Sequence, residues 1–167
     1  MRGFTLIELL VVIAIIGILA SVVLASLNAA RTKANDARRL SDIRSIATAI
    51  ELYANDNNGS YYVTGVDTWY YACSGSTWDT LGTALVDYIS ELPNDPAEDC
   101  GALRAYYYQS RTGADFKIMA HQPENPDSPP NTSLLDPARD GGADGCVTDS
   151  TSGAWAWSLY TDGAACW

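Results

Sequence analysis

Between Leu6 and Leu27 nearly every position is apolar; the departures are Glu8, Ser21, Ser26 and the small Gly17, with Thr5 just ahead of the run. Wound as a helix at about 1.5 Å per residue, such a run crosses a hydrocarbon core of about 30 Å. The pattern then changes. Leu40, Ile43, Ala47, Ile50 and Ala54 recur every three or four residues, with Ile46 and Tyr53 widening the stripe. That spacing predicts an amphipathic helix with one buried face. No Pro or Gly interrupts the chain from Asn28 to Asp56, and Asn57-Asn58-Gly59 supplies a stop. One helix from Phe4 to Asp56 would be about 80 Å long.

After Gly59 the pattern turns aromatic and polar, with Tyr61, Tyr62, Trp69, Tyr70, Tyr71 and Trp78 expected to pack a connecting segment onto the helix. Leu81, Leu85, Tyr88, Ile89 and Leu92 have helical spacing ahead of Pro93, which predicts a short helix from Thr80 to Glu91. The β-prone runs 105–110 and 115–122, separated by Arg111-Thr112-Gly113-Ala114, read as a hairpin. Residues 123–153 hold five Pro among many Asp and Gly and read as a long loop. Residues 154–160 form a closing strand that turns at Thr161-Asp162-Gly163. The expected class is α+β: a long N-terminal helix packed on a small antiparallel sheet. A chain of 167 residues carries one such head on one anchor.

Charge separates the two parts. Residues 4–58 carry five basic and five acidic groups, whereas residues 59–167 carry four basic and fifteen acidic, a net −11. A head of that sign repels polyanions, so no nucleic-acid partner is expected for the isolated subunit. Arg31 to Arg44 read as a solvated basic face, with docking to a neighbour's acidic head as the sharper alternative. All four cysteines, Cys73, Cys100, Cys146 and Cys166, lie in the head, and none forms a C-x-x-C pair. Structural disulfides in an oxidising compartment follow. Nesting of neighbours favours Cys73 with Cys100 and Cys146 with Cys166, and the other two connectivities stay open.

Glu8 does not belong in an oily run. Ionised and unpaired in hydrocarbon, a carboxylate is strongly disfavoured, so Glu8 either reaches the headgroups or waits for a partner. A secretory leader would place a small-residue cleavage site after the apolar stretch, and none is present, so the stretch is expected to be retained. Gly3 followed by Phe4-Thr5-Leu6-Ile7-Glu8-Leu9-Leu10-Val11-Val12-Ile13 and onward to Ala20 closely resembles the type IV prepilin signature. The resemblance implies a pilin fold, cleavage between Gly3 and Phe4 by a prepilin peptidase, and N-methylation of the new Phe4 amine. It makes Glu8 the assembly glutamate that meets a neighbour's Phe4 amine. Such a pair penalises wrong registers more than it adds net stability. The helix-bending proline of many pilins is missing, since the comparable stretch reads Ser21-Val22-Val23-Leu24-Ala25-Ser26. The run Leu85 to Pro96 resembles the matching connection in major pseudopilins of type II secretion.

The organisation expected from these readings is a cleaved leader (1–3), a transmembrane and filament-core half-helix (4–29), an amphipathic half-helix (30–58) and a head (59–167). Counting positive charges alone would put the head in the cytoplasm, because Arg31, Lys33, Arg38, Arg39 and Arg44 follow the span and Arg2 alone precedes it. The cysteines and the signature reverse that: a single-pass inner-membrane precursor with its head outside, then an extracellular or periplasmic filament.

No enzyme is expected. His121, the lone histidine, sits beside no triad or zinc motif. Asp136, Asp140, Asp144 and Asp149 could offer oxygens to calcium, as in the calcium-binding loop of some pseudopilins. Their spacing fits no EF-hand, and the plain reading is a solvated loop with no metal or cofactor. The function expected is a structural subunit of a type IV pilus-like filament, with copies of itself, the prepilin peptidase and a membrane assembly platform as partners. The nearest alternative is a pseudopilin of a type II secretion or DNA-uptake system. From another class, a membrane-anchored extracellular binding module would share the span and the disulfides but would have no use for Glu8.

Overall fold

A computed structural model describes residues 5–66, 68–74, 76–97, 99–102, 104–123, 134–139, 146 and 156–167. The chain divides into two units, one ending at Ala34 and one beginning at Asn35. Helix α1 (Leu6–Asp56) contributes to both.

In the first unit the apolar side chains of α1 stay open to the surroundings, from Leu6 at 79% exposure to Leu27 at 43%. The hydroxyls of Ser21 and Ser26 donate back to the carbonyls of Ile18 and Val22, at 2.7 and 3.0 Å, so neither is left unpaired in an oily medium. The helix runs unbroken through this proline-free stretch.

In the second unit α1 buries Ile43, Ile46, Ala49, Ile50 and Ala54, while Leu40, Ala47 and Tyr53 are half-buried beside them. The helix ends in a Schellman turn. Gly59 N–H donates to the Ala54 carbonyl at 2.7 Å, and Asn58 (φ 57°) and Gly59 (φ 80°) take the left-handed conformation that reverses the chain.

The sheet is antiparallel, in the order β1 (Tyr70–Tyr71), β2 (Ala105–Gln109), β3 (Lys117–His121), β4 (Ala156–Tyr160). Alternation along the strands sends Tyr106, Tyr108, Ile118, Ala120 and Trp157 into the core shared with Ile43, Ile46 and Ile50. Two core tyrosines are anchored by their hydroxyls, Tyr106 to Asp42 at 2.8 Å and Tyr108 to the Tyr62 carbonyl at 2.7 Å. The other face carries Tyr107, Lys117, Met119, His121 and Ser158. The hairpin turn depends on Gly113 (φ 85°): a Cβ there would run into Ser60 Oγ and crowd the Tyr61 carbonyl.

The second helix, α2, spans Ser76–Ala84, earlier than the Thr80 start and Glu91 end expected. Pro93 is not what stops it. After Leu85 the chain tightens into a turn, with Tyr88 N–H and Ile89 N–H both donating to the Leu85 carbonyl, and this keeps Leu81, Leu85 and Leu92 buried without further helix. Strand β1 falls in the segment expected only as connection, because two residues carry no period. Of the long loop read over 123–153, residues 123, 134–139 and 146 are described: Leu135 bridges to Trp157 and Pro137–Arg139 forms a 3-10 turn, while the rest, like Ala154 and Trp155 of the closing strand, lies outside the described residues.

Arg39 corrects the solvated-face reading of the basic run. It is fully buried and forks onto Asp95, with Nε to Oδ2 at 2.7 Å and Nη2 to Oδ1 at 2.8 Å, while Nη1 reaches Asp36 at 2.6 Å. Burial opposes its charge, but the bonds and charges of Asp95 and Asp36 outweigh that and hold the guanidinium above its usual range.

Burial pushes the Tyr106 and Tyr108 phenols well above the ordinary tyrosine value of about 10, and for Tyr106 the Asp42 carboxylate adds to the push. A group whose folded pKa is raised stabilises the fold fully below its unfolded pKa and loses that contribution as pH rises past it. The melting temperature should therefore hold to about pH 9.5 and fall above about pH 10, where the unfolded phenols ionise freely. Thermal unfolding across that range checks this, and Tyr106→Phe should flatten the alkaline fall.

Candidate functional site

Two places carry the residues singled out by the sequence: the first turn of α1 and the cystine-bridged head. Gly3 and Phe4 lie outside the described residues, so the site begins at Thr5. There the sequence Thr5-Leu6-Ile7-Glu8 forms a capping box. Thr5 N–H and Thr5 Oγ1 both donate to Glu8 Oε2 at 2.8 Å, and Glu8 N–H approaches Thr5 Oγ1 at 3.3 Å. A helix start leaves its first N–H groups unpaired, and the carboxylate also sits at the positive end of the helix dipole.

This arrangement divides the carboxylate in two. Oε2 is committed to the subunit's own first turn. Oε1 accepts no hydrogen bond among the described residues and belongs to an exposed side chain. Its neighbours along the helix, Leu6, Ile7 and Leu9, are apolar and each more than half exposed. An oxygen so placed can accept from a cation supplied by another molecule while the cap stays intact. Sequence reasoning misses Thr5, although the T-x-x-E spacing ahead of an apolar run is itself a readable signal.

The same unit exposes the whole apolar run. An 18-residue stretch of α1 is apolar enough to cross a membrane and is 0% buried. Gly17 has open space where a Cβ would stand, so nothing among the described residues requires a glycine there.

In the head, Cys73 is bonded to Cys100 and Cys146 to Cys166, with Cα separations of 5.5 and 5.3 Å. On the chain-entropy account, each closure stabilises the head by about 3 kcal/mol. His121 lies on β3, nearly buried, with its ring 5.1 Å from that of Tyr107. Of the four aspartates offered for calcium, Asp136 is fully buried and bonded to the Lys117 ammonium at 2.6 Å. Lys117 also donates to the carbonyls of Ala165 and Trp167, so an internal cation already takes up this carboxylate. Asp140, Asp144 and Asp149 lie outside the described residues.

Residues 1–24 match a family pattern described as a prokaryotic N-terminal methylation motif. The chain is 47% identical over 57 residues to the type II secretion system core protein G of Pectobacterium carotovorum, covering 34% of this chain and 36% of that one. It is 35% identical over 97 residues to the type II secretion system core protein G of Klebsiella pneumoniae, covering 57% of this chain and 68% of that protein. It is 51% identical over 57 residues to a type IV wide pilus major component of Thermus thermophilus, covering 34% and 44%. The chain thus spans between about a third and two thirds of the length of these relatives. No solved structure matches it.

Proposed function

Because the chain belongs to the type IV pilin and pseudopilin family, a structural and non-catalytic class, we propose that it is a pseudopilus subunit of a type II secretion system. The family places a hydrophobic N-terminal helix and a methylation motif on such subunits, and the exposed apolar run of α1 is consistent with a membrane-anchored precursor. The secretion reading takes precedence over the pilus filament expected from the sequence. The Klebsiella pneumoniae secretion protein matches over 97 residues, well past the apolar run, whereas the Thermus thermophilus pilus component matches over 57.

On this reading a prepilin peptidase cuts between Gly3 and Phe4, and the Phe4 amine is methylated. The head lies on the far side of the inner membrane, where its disulfides form. A membrane assembly platform then lifts the subunit into a filament whose core is residues 4–29, followed by the amphipathic half-helix 30–58 and the head 59–167. The observation that carries the proposal is the divided carboxylate of Glu8, one oxygen capping its own helix and the other open to a neighbour. The incoming Phe4 amine is the cation that suits it, since two charges each disfavoured in hydrocarbon become tolerable together.

The test is the mass and N-terminal sequence of the chain recovered from cells carrying the secretion machinery. A single species beginning at N-methylated Phe4 is expected. A mature chain that begins elsewhere, or that keeps Met1, sinks the assignment.

A further inference from the structure

Two cations stand just past the apolar run of α1. Arg31 and Lys33 are exposed, and neither makes an ion pair among the described residues. The nearest carboxylate along the helix, Asp36, is buried and taken up by the Arg39 guanidinium at 2.6 Å. What the two cations meet is set by a separate observation. The run before them ends at Leu27, and an 18-residue stretch of it is 0% buried, as befits a segment lying in hydrocarbon. At about 1.5 Å per residue, Arg31 lies about 6 Å and Lys33 about 9 Å past Leu27. The polar layer on each side of the hydrocarbon is about 5–8 Å deep, and long basic side chains reach back toward it along their own stems. Both charges therefore fall at the level of the lipid phosphates.

Their placement around the helix decides between a surrounding layer and a docking partner. Two residues along a helix make a rotation of about 200°, so Arg31 and Lys33 leave opposite sides of the rod. A neighbouring acidic head approaches from one side and reaches one of them, whereas headgroups surround the helix and reach both. The first unit has no anion of its own at this level, since the acidic residue among 5–34 is Glu8, at the other end of the run. We propose that Arg31 and Lys33 form a collar that binds anionic phospholipids of the leaflet on the head's side and fixes the depth of the precursor before it is drawn into a filament. Lipids with a net negative headgroup are favoured over zwitterionic ones, whose own ammonium competes for the phosphate. The proposal rests on the membrane-anchored reading above.

The test places the full-length chain in vesicles of phosphatidylcholine mixed with phosphatidylglycerol. Spin-labelled lipids of each kind are then compared for the fraction held at the protein. Phosphatidylglycerol should be favoured by about fivefold at low salt, and the preference should shrink as salt is raised. Arg31→Gln with Lys33→Gln should bring the ratio close to one, Arg31→Lys should keep it, and Arg44→Gln, on the head's part of α1, should leave it unchanged. A wild-type ratio near one, or a double variant that keeps the wild-type ratio, overturns the collar. So does an equal loss from Arg44→Gln, which would assign the preference to the charge of the whole helix. A double variant that keeps the lipid ratio but no longer copurifies with a differently tagged copy would give these cations to a neighbour's head instead. Resistance to alkaline extraction reports insertion separately. Chains that insert without lipid preference remove the collar alone, whereas chains that do not insert sink the membrane-anchored reading with it.

Discussion

Cells expressing Glu8→Leu in place of the natural chain should build no filament, and the processed subunit should collect in the membrane. Two effects act in the same direction. The substitution makes the apolar run continuous, which favours residence in the bilayer, by less than the roughly hundredfold that insertion scales give for a charge at the helix centre because Glu8 stands in the first turn. It also removes the only acidic group among residues 5–34, so that an arriving Phe4 amine would be buried without a counter-charge. Immunoblots of membrane and sheared filament fractions measure both quantities, and abundant filament from Glu8→Leu would rule out pairing at Glu8 as the step that drives assembly.

Since Glu8 both caps α1 and carries charge, the cause of that loss has to be separated from its occurrence. Glu8→Gln keeps an oxygen able to accept from Thr5 N–H and Thr5 Oγ1 but cannot pair with an ammonium. Thr5→Val does the converse: it deletes the hydroxyl, loosens the cap and leaves the charge. If ion pairing governs assembly, Glu8→Gln should behave nearly as Glu8→Leu does, while Thr5→Val should cost only several-fold in yield. The reverse order would mean that the order of the first turn, rather than its charge, is what the filament requires.

How much of the fold and of the candidate site is legible in the sequence depends on the range over which the forces act. The apolar run, the stripe from Ile43 to Ala54 and the stop at Asn57-Asn58-Gly59 are local patterns, and α1 follows them closely. The hairpin of β2 and β3 is equally readable, because its turn and its two β-prone runs are contiguous. Arg39 shows the limit. By spacing it lies in a basic stretch that looks solvated, and nothing nearby says that Asp95, 56 residues on, arrives to fork with it. Lys117 is the same case on β3: an ammonium at a strand position reads as outward and wet until Asp136 and two carbonyls close over it. At the candidate site the difficulty is one of emphasis. The cost of a carboxylate in hydrocarbon draws attention to Glu8 and away from the capping partner three residues before it, which is equally visible.

Removing the guanidinium of Arg39 should be the most damaging single change to the head. Arg39→Ala would leave Asp36 and Asp95 buried beside each other with no cation, and breaking one side of such a cluster costs about 3–5 kcal/mol. For a unit of this size that corresponds to a fall of roughly 10–20 °C in melting temperature. Arg39→Lys keeps the charge but cannot form the fork, so it should fall between the two. Replacing Arg39, Asp36 and Asp95 together by apolar residues should restore much of the loss, because the cluster's contribution is mainly the avoidance of unpaired charge. Calorimetry of Arg39→Ala showing a loss under about 1 kcal/mol would mean that water, rather than the protein, already satisfies these charges.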